Sequence, residues 1–187
     1  MFILMEGIMK EEQLKVLIKN DAIQQRITEM AEEISNDYKG KDIEIICVLR
    51  GAVIFTVELC MQIEENTRFN FIEVSSYEGT ESTGKIKINK DITDSITGKD
   101  ILIVEDIIDT GRTLSYLREY LLEKKPNSLK ICTLVNKPAR REVEIPIDYN
   151  GFTIDDKFIV GHGFDIDNDY RNKKDILYVE QKKKTKK

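Results

Sequence analysis

Apolar positions along the chain follow two alternating periods. After a short apolar stretch, Leu14–Ile18, residues Ile23, Ile27, Met30, Ala31 and Ile34 recur at helical spacing. They predict a helix of about 18 residues that begins at Asn20 or Asp21 and is closed by Gly40. Ile43–Leu49 is continuously apolar and predicts a buried strand; Gly51 follows, and Val53, Ile54, Val57, Cys60 and Met61 mark a second helix. Residues 69–75 predict another strand, and residues 76–84 are polar, contain glycine and show no apolar period. Residues 85–90 alternate around Ile86 and Ile88 as an exposed strand ahead of a turn at Thr97 and Gly98. The most apolar strand, 101–104, leaves into Glu105 and Asp106, and a helix from Arg112 carries Leu114, Leu117 and Leu121 on one face until Pro126 stops it. Residues 131–135, 158–160 and Ile176–Val179 complete the predicted strands. Strands alternating with helices, with the strands continuously apolar, predict an α/β domain built on a largely parallel sheet.

A chain of 187 residues without repeat or long linker fits a single domain spanning 1–187, large enough to bury a core without cross-links. Residues 1–8 read as an N-terminal extension, with Met9 as an alternative start, and residues 181–187 as a Lys-rich tail that solvent would surround. The net charge of −5 and pI near 5.2 give no basic field for nucleic acid, and the apolar opening is far too short to span a membrane. Cys47, Cys60 and Cys132 lie inside apolar runs without metal-type spacing, which predicts reduced core thiols and a cytoplasmic protein.

The chemistry concentrates where the strand 101–104 ends, in the run E-D-I-I-D-T-G-R-T from Glu105 to Thr113. In open α/β sheets, ligands bind beyond the carboxyl ends of strands, so Glu105, Asp106 and Asp109 emerge where a ligand would sit. Thr110, Gly111, Arg112 and Thr113 then open a helix, whose free N–H groups and positive dipole end suit a phosphate. Gly111 admits close backbone approach, and the two threonine hydroxyls add donors. Acids beside a phosphate cup suit a phosphorylated sugar: carboxylates accept from vicinal hydroxyls and help hold Mg²⁺ while the cup grips the phosphate. No Walker loop and no G-x-G-x-x-G is present. The competing reading, acids that merely face water at a helix start, fits poorly with three acids and T-G-R-T at one strand end.

Residues 101–114 resemble the phosphoribosyl-pyrophosphate signature of type I phosphoribosyltransferases. They are closest to the hypoxanthine-guanine branch, whose core reads V-E-D-I-I-D-T-G, and the similarity extends from the first helix to about Tyr178. The resemblance implies a central sheet flanked by helices, a small hood and a flexible lid loop. It implies transfer of 5-phosphoribose from its 1-diphosphate to a 6-oxopurine, with Mg²⁺, in a homo-oligomer (dimer or tetramer) needing neither nucleic acid nor membrane. Glu105 and Asp106 would hold the ribose hydroxyls and one Mg²⁺, Asp109 would manage a proton near purine N7, and residues 110–113 would bind the 5-phosphate. Arg50 and Gly51 match the pyrophosphate loop, in which the peptide before the basic residue is often cis in relatives. Ser76 and Tyr77 match the lid dipeptide. Lys137 would contact the purine 6-oxygen, Phe158 would stack on the base, and Ile159 would offer its backbone. Asp165 matches the ligand of a second metal, and Arg171 a pyrophosphate contact. Taken singly, Arg50 reads as a solvated turn residue, Lys137 as an exposed loop lysine, Phe158 as core, and Asp165 as acidic surface; their order along one chain carries the argument.

Two positions depart from the family pattern. His162 stands where relatives usually carry Tyr, and Ile166 where an aromatic is common. As the single histidine, His162 gives no support to a Ser-His-Asp triad or a histidine-rich metal site and is expected to be structural or at the pocket edge. Two further readings stay open: an RNA-binding regulator resembling the pyrimidine-operon attenuator, and a receiver-like signalling domain, which also gathers acids at strand ends.

Overall fold

The computed structural model describes residues 14–76 and 86–180. Residues 1–8, Tyr77 with most of the expected lid, and the tail 181–187 lie outside them.

In chain order the elements are β1 (Leu14–Ile18), α1 (Asn20–Asp37), β2 (Ile43–Leu49), α2 (Val53–Cys60), β3 (Thr67–Ser76), β4 (Ile86–Lys90) and β5 (Asp100–Ile108). Then come α3 (Arg112–Leu122), β6 (Ser128–Asn136), a 3₁₀ turn (Pro138–Arg140), β7 (Tyr149–Thr153), β8 (Ile159–Val160) and β9 (Ile176–Val179). The central sheet runs β4-β3-β2-β5-β6-β7 and is parallel except for the edge strand β4. A small antiparallel sheet, β1-β9-β8, joins the two ends of the described chain.

Alternation along the strands divides the core into two layers. Ile43 and Ile45 of β2, with Leu102 and Val104 of β5, pack under Ile23, Ile27, Met30 and Ile34 of α1 and Phe55 and Leu59 of α2. On the opposite face Ile46, Val48, Ile101 and Ile103 meet Leu114, Leu117 and Leu121 of α3. The three cysteines are free and buried, and burial pushes the Cys47 thiol up to about 11 and Cys60 to about 12, so neither is a ready nucleophile. No helix among the described residues is long and apolar enough to cross a membrane.

Three features depart from the sequence pattern. Leu14–Ile18 is a strand because β9, from the far end of the chain, supplies its partner. Tyr149–Thr153 pairs with β6 although its sequence, YNGFT, has little strand character; Gly151 lies against the Leu134 carbonyl, where a side chain would not fit. The strand expected over 101–104 continues to Ile108 because β6 keeps pairing with it as far as Asn136.

That extension shapes the site. β2 pairs with β5 only as far as Val104, then turns away, so β5 loses its β2-side neighbour at Glu105. The chain leaves β2 for β3 on one side of the sheet and returns through β5 on the other. The β2/β5 boundary is therefore the topological switch point, where α/β sheets open a crevice.

Candidate active site

A cleft of about 440 Å³ opens at this point, lined by the carboxyl ends of β2, β3 and β5 and by the turn into α3. Glu105 and Asp106 are its floor. They are consecutive on a strand, so their side chains start on opposite sides, yet both line the cleft and each carboxylate accepts from the next backbone N–H. The Asp106 N–H donates to Glu105 Oε1 at 3.2 Å, and the Ile107 N–H donates to Asp106 Oδ1 at 2.8 Å. Burial, and then the charge of Asp106, raise Glu105 well above the usual carboxylate range. Burial also raises Asp106, opposed by its hydrogen bonds and by the nearby Arg171. Two acids held together at this cost form a site that favours a cation.

Mg²⁺ fits this donor set: two oxygen-bearing side chains close together, with Arg171 the cation that acts on Asp106. Among the described residues no three His, Cys, Asp or Glu side chains converge to enclose a metal. An ion there would keep water and substrate oxygens as its remaining ligands, which is the usual habit of Mg²⁺.

Next to the acids, Gly111 begins α3 with φ +84°, and no side chain caps the helix. The first helical bond is the Ser115 N–H to the Gly111 carbonyl at 2.9 Å, so the N–H groups ahead of it have no helical partner, and the Arg112 N–H makes a long contact of 3.4 Å to Thr110 Oγ1. The Thr110 carbonyl is held by the N–H groups of Glu142 and Val143 at 2.9 and 3.0 Å, which anchors the cup to the segment after the 3₁₀ turn. Thr110, Gly111 and Thr113 all line the cleft, whereas Arg112 points to Glu142 at 2.5 Å.

Arg50 follows a cis Leu49-Arg50 peptide and extends into solvent, with its Nε 3.4 Å from Glu73 Oε1. A side chain at Gly51 would overlap the Asp106 carboxylate, and one at Gly163 would overlap the Gly51 carbonyl. Gly163 lies in the segment that carries Asp165 and Arg171. Arg171 donates to the Gly163 carbonyl at 2.6 Å and pairs with Asp165 Oδ1 at 2.8 Å, while the Asn168 N–H donates to Asp165 Oδ2 at 2.8 Å. Gly51, Asp106, Asp165 and Arg171 are thus linked around one corner through Gly163, with the Arg50 side chain directed to Glu73 beside it. His162 faces away from it: 2% exposed, with its Nδ1 3.2 Å from the Lys174 carbonyl and its Nε2 3.2 Å from Glu58, it packs structurally.

The residues assigned to the base lie on the β6 side. Lys137 is only 5% exposed, not a loop lysine in solvent. Burial lowers its pKa, while Asp109 and Asp156 pull the other way. Phe158 is 53% exposed just before β8, so it is not core, and its ring is free to meet a flat ligand. Ile159 is buried, pairing with Tyr178 across β8 and β9. Ser76 ends β3. Two residues outside the sequence reading also enter the site: Arg140, 3.0 Å from Asp109, and Arg141, which lies against Gly111 and bonds Asn136. Both sit in a charged run that reads as surface, and the nearby Lys-Pro was the only signal.

A family model described as phosphoribosyl transferase domain matches residues 14–167, and the chain belongs to that family, with its type I fold. Within it, the chain is similar to the crystal structure of a hypoxanthine phosphoribosyltransferase from Staphylococcus aureus: TM-score 0.87, 40% identity, covering 94% of this chain and 96% of that one. It is 44% identical over 168 residues to the hypoxanthine-guanine-xanthine phosphoribosyltransferase of Tritrichomonas foetus, covering 89% of this chain and 92% of that protein. The bifunctional protein TilS/HprT of Listeria monocytogenes is 44% identical over 159 residues; these cover 84% of this chain, which spans only 24% of that protein's length. Neither the RNA-binding nor the receiver-like reading finds support in these similarities.

Proposed function

We propose that this chain is a Mg²⁺-dependent transferase of purine salvage. It moves the 5-phosphoribosyl group from 5-phospho-α-D-ribose 1-diphosphate to hypoxanthine, and to guanine, releasing diphosphate with IMP or GMP. One observation carries this reading: the adjacent acids Glu105 and Asp106 and the start of α3 line the same switch-point crevice, and the buried Lys137 is hydrogen-bonded through its N–H to the carbonyl of Ile108 on the crevice wall.

Residues 110–113 grip the 5-phosphate through backbone N–H groups and hydroxyls. Glu105 and Asp106 accept from the ribose hydroxyls and fix the ring over the sheet edge. As the anomeric bond lengthens, positive charge grows on the sugar, and the carboxylates below it are placed to stabilise that charge. Mg²⁺, where held by Glu105 and Asp106, with a second ion at Asp165, would supply positive charge to the departing diphosphate. Arg50, Arg171 and the Gly51 backbone would hold the same group. Purine N9 attacks from the opposite face, and Asp109 takes or returns the proton on the imidazole side of the base. Lys137 meets the 6-oxygen, Phe158 stacks on the ring, and Ile159 offers its backbone at the base edge. Ser76 and Tyr77 would belong to the lid that excludes water, the competing nucleophile.

The chain works in the cytoplasm, where its buried thiols stay reduced, as a homo-oligomer of two or four copies. Competition of hypoxanthine, guanine, xanthine and adenine, with the sugar diphosphate and Mg²⁺ present, tests the proposal. Diphosphate release with the 6-oxopurines and little with adenine is expected; release with none of them would end it. Asp109→Asn should lose roughly 10²–10⁴-fold in turnover yet still bind the sugar diphosphate.

A further inference from the structure

Asp109 has been assigned a proton, and its surroundings show what aims it. The 3₁₀ turn Pro138–Arg140 follows Lys137 directly, and the Arg140 N–H donates to the Lys137 carbonyl at 3.2 Å. From this turn the Arg140 guanidinium reaches Asp109, with Nη1 3.0 Å from its Oδ2. Its Nε lies 3.8 Å from Asp156 Oδ1, two residues before the exposed ring of Phe158. The second carboxylate oxygen, Asp109 Oδ1, is buried and has no hydrogen-bond partner. Among the described residues, Arg140 is the one side chain within ion-pair distance of Asp109, and Lys137 is the further cation that feels its charge.

We propose that Arg140 is a positioning residue, fixing the Asp109 carboxylate for proton transfer and tying it to the two segments that hold the purine. This rests on the reading of Asp109 given above. The last torsion of an aspartate is broad, so an unrestrained carboxylate samples many planes. A charge-assisted bond to one oxygen fixes that plane, and is about twice as strong as a neutral one. Arg140 spans the three pieces of the base pocket: the catalytic turn through Asp109, the lysine turn through its own backbone, and the platform loop through Asp156. Its side chain is 43% exposed, so solvent screens much of the attraction. The effect of removing it is correspondingly smaller than that of removing Asp109.

Steady-state rates for Arg140→Gln, Arg140→Lys, Asp109→Asn and the Asp109→Asn/Arg140→Gln double variant, each substrate varied in turn, test this. Arg140→Gln should lose about 10-fold in kcat with the KM for the sugar diphosphate within about 2-fold, since misplacement alone is costly. Arg140→Lys should recover most of that loss, because the charge returns. The double variant should be no more than about 2-fold slower than Asp109→Asn, because two residues acting as one unit are non-additive. Wild-type kcat in Arg140→Gln, a full extra 10-fold loss in the double variant, or an Arg140→Lys no faster than Arg140→Gln would each overturn the proposal while leaving Asp109 in its role. Undiminished turnover in Asp109→Asn would remove the role of Asp109 itself, and Arg140's with it.

Discussion

Replacing Gly111 with Ala should separate the stability of the phosphate cup from its function. Gly111 has φ +84°, and its position faces the Val143 carbonyl, with Arg141 Cδ 3.1 Å from where a Cβ would lie. The left-handed backbone costs an alanine about 1–2 kcal/mol. To restore an ordinary separation the Val143 carbonyl must retreat by about 1 Å. That movement pulls on the two hydrogen bonds holding the Thr110 carbonyl, and losing one of them costs about 0.5–1.5 kcal/mol. The sum, about 1.5–3.5 kcal/mol, corresponds to a fall in Tm of roughly 3–14 °C for a chain of this length. Gly40→Ala is the control. Gly40 has φ +74° with nothing within 4 Å of an added Cβ, so it carries the backbone cost without the displacement. Scanning calorimetry should rank wild type above Gly40→Ala above Gly111→Ala. Initial rates at saturating base should show the KM for the sugar diphosphate raised roughly 10–100-fold in Gly111→Ala alone, the scale of a 1 Å misplacement. If the two variants melt together, or if Gly111→Ala keeps a wild-type KM, the argument that this glycine shapes the cup is wrong.

Glu105→Gln should abolish most turnover yet stabilise the free protein at about pH 8 by about 1–3 kcal/mol, the cost of a poorly solvated charge. Since the folded protein holds the Glu105 proton more tightly than the unfolded chain, its contribution is fullest at low pH and is lost as pH rises through the raised value. Urea unfolding across a pH series should therefore show the variant's advantage shrinking on acidification; an advantage independent of pH would contradict the burial argument. In Lys137→Gln, kcat/KM for hypoxanthine should fall about 10–100-fold, the worth of a hydrogen bond from a charged donor, with sugar binding little changed; equal losses for both substrates would take Lys137 out of the base pocket. Phe158→Ala should raise the KM for the base about 5–100-fold, the range of one stacking contact, and barely move Tm because the ring is already exposed; a large melting shift with unchanged KM would make it a packing residue.

How much of this could be read from sequence varies with the range of the contacts involved. β5, the turn after it and α3 were legible because strand, acids, glycine and helix start are contiguous, and local physics ties each to the next. β1 was not, since its partner β9 lies at the other end of the chain and no local period announces the pairing. β7 was masked by Asn150 and Gly151, whose presence makes sense only beside Leu134 of β6. Lys137 and Phe158 show the same limit at single residues. The isolated patterns favour an exposed lysine and a buried ring, and the tertiary structure reverses both. Arg140 was invisible because its partner Asp109 is brought to it only when β5 and β6 align.

The contacts among Gly51, Asp106 and Gly163 divide the labour of the molecule. Three distant stretches of chain touch there with no room for a single added methyl group, so the machinery for the sugar and its leaving group behaves as one casting. The residues proposed for the purine, Lys137 and Phe158, lie outside those contacts, after β6 and before β8. On the proposed reading, nucleobase choice can change at the side chains of Lys137 and Phe158 without disturbing that casting, whereas residues 140–143 hold Asp109 and the Thr110 turn and are not free to vary with it.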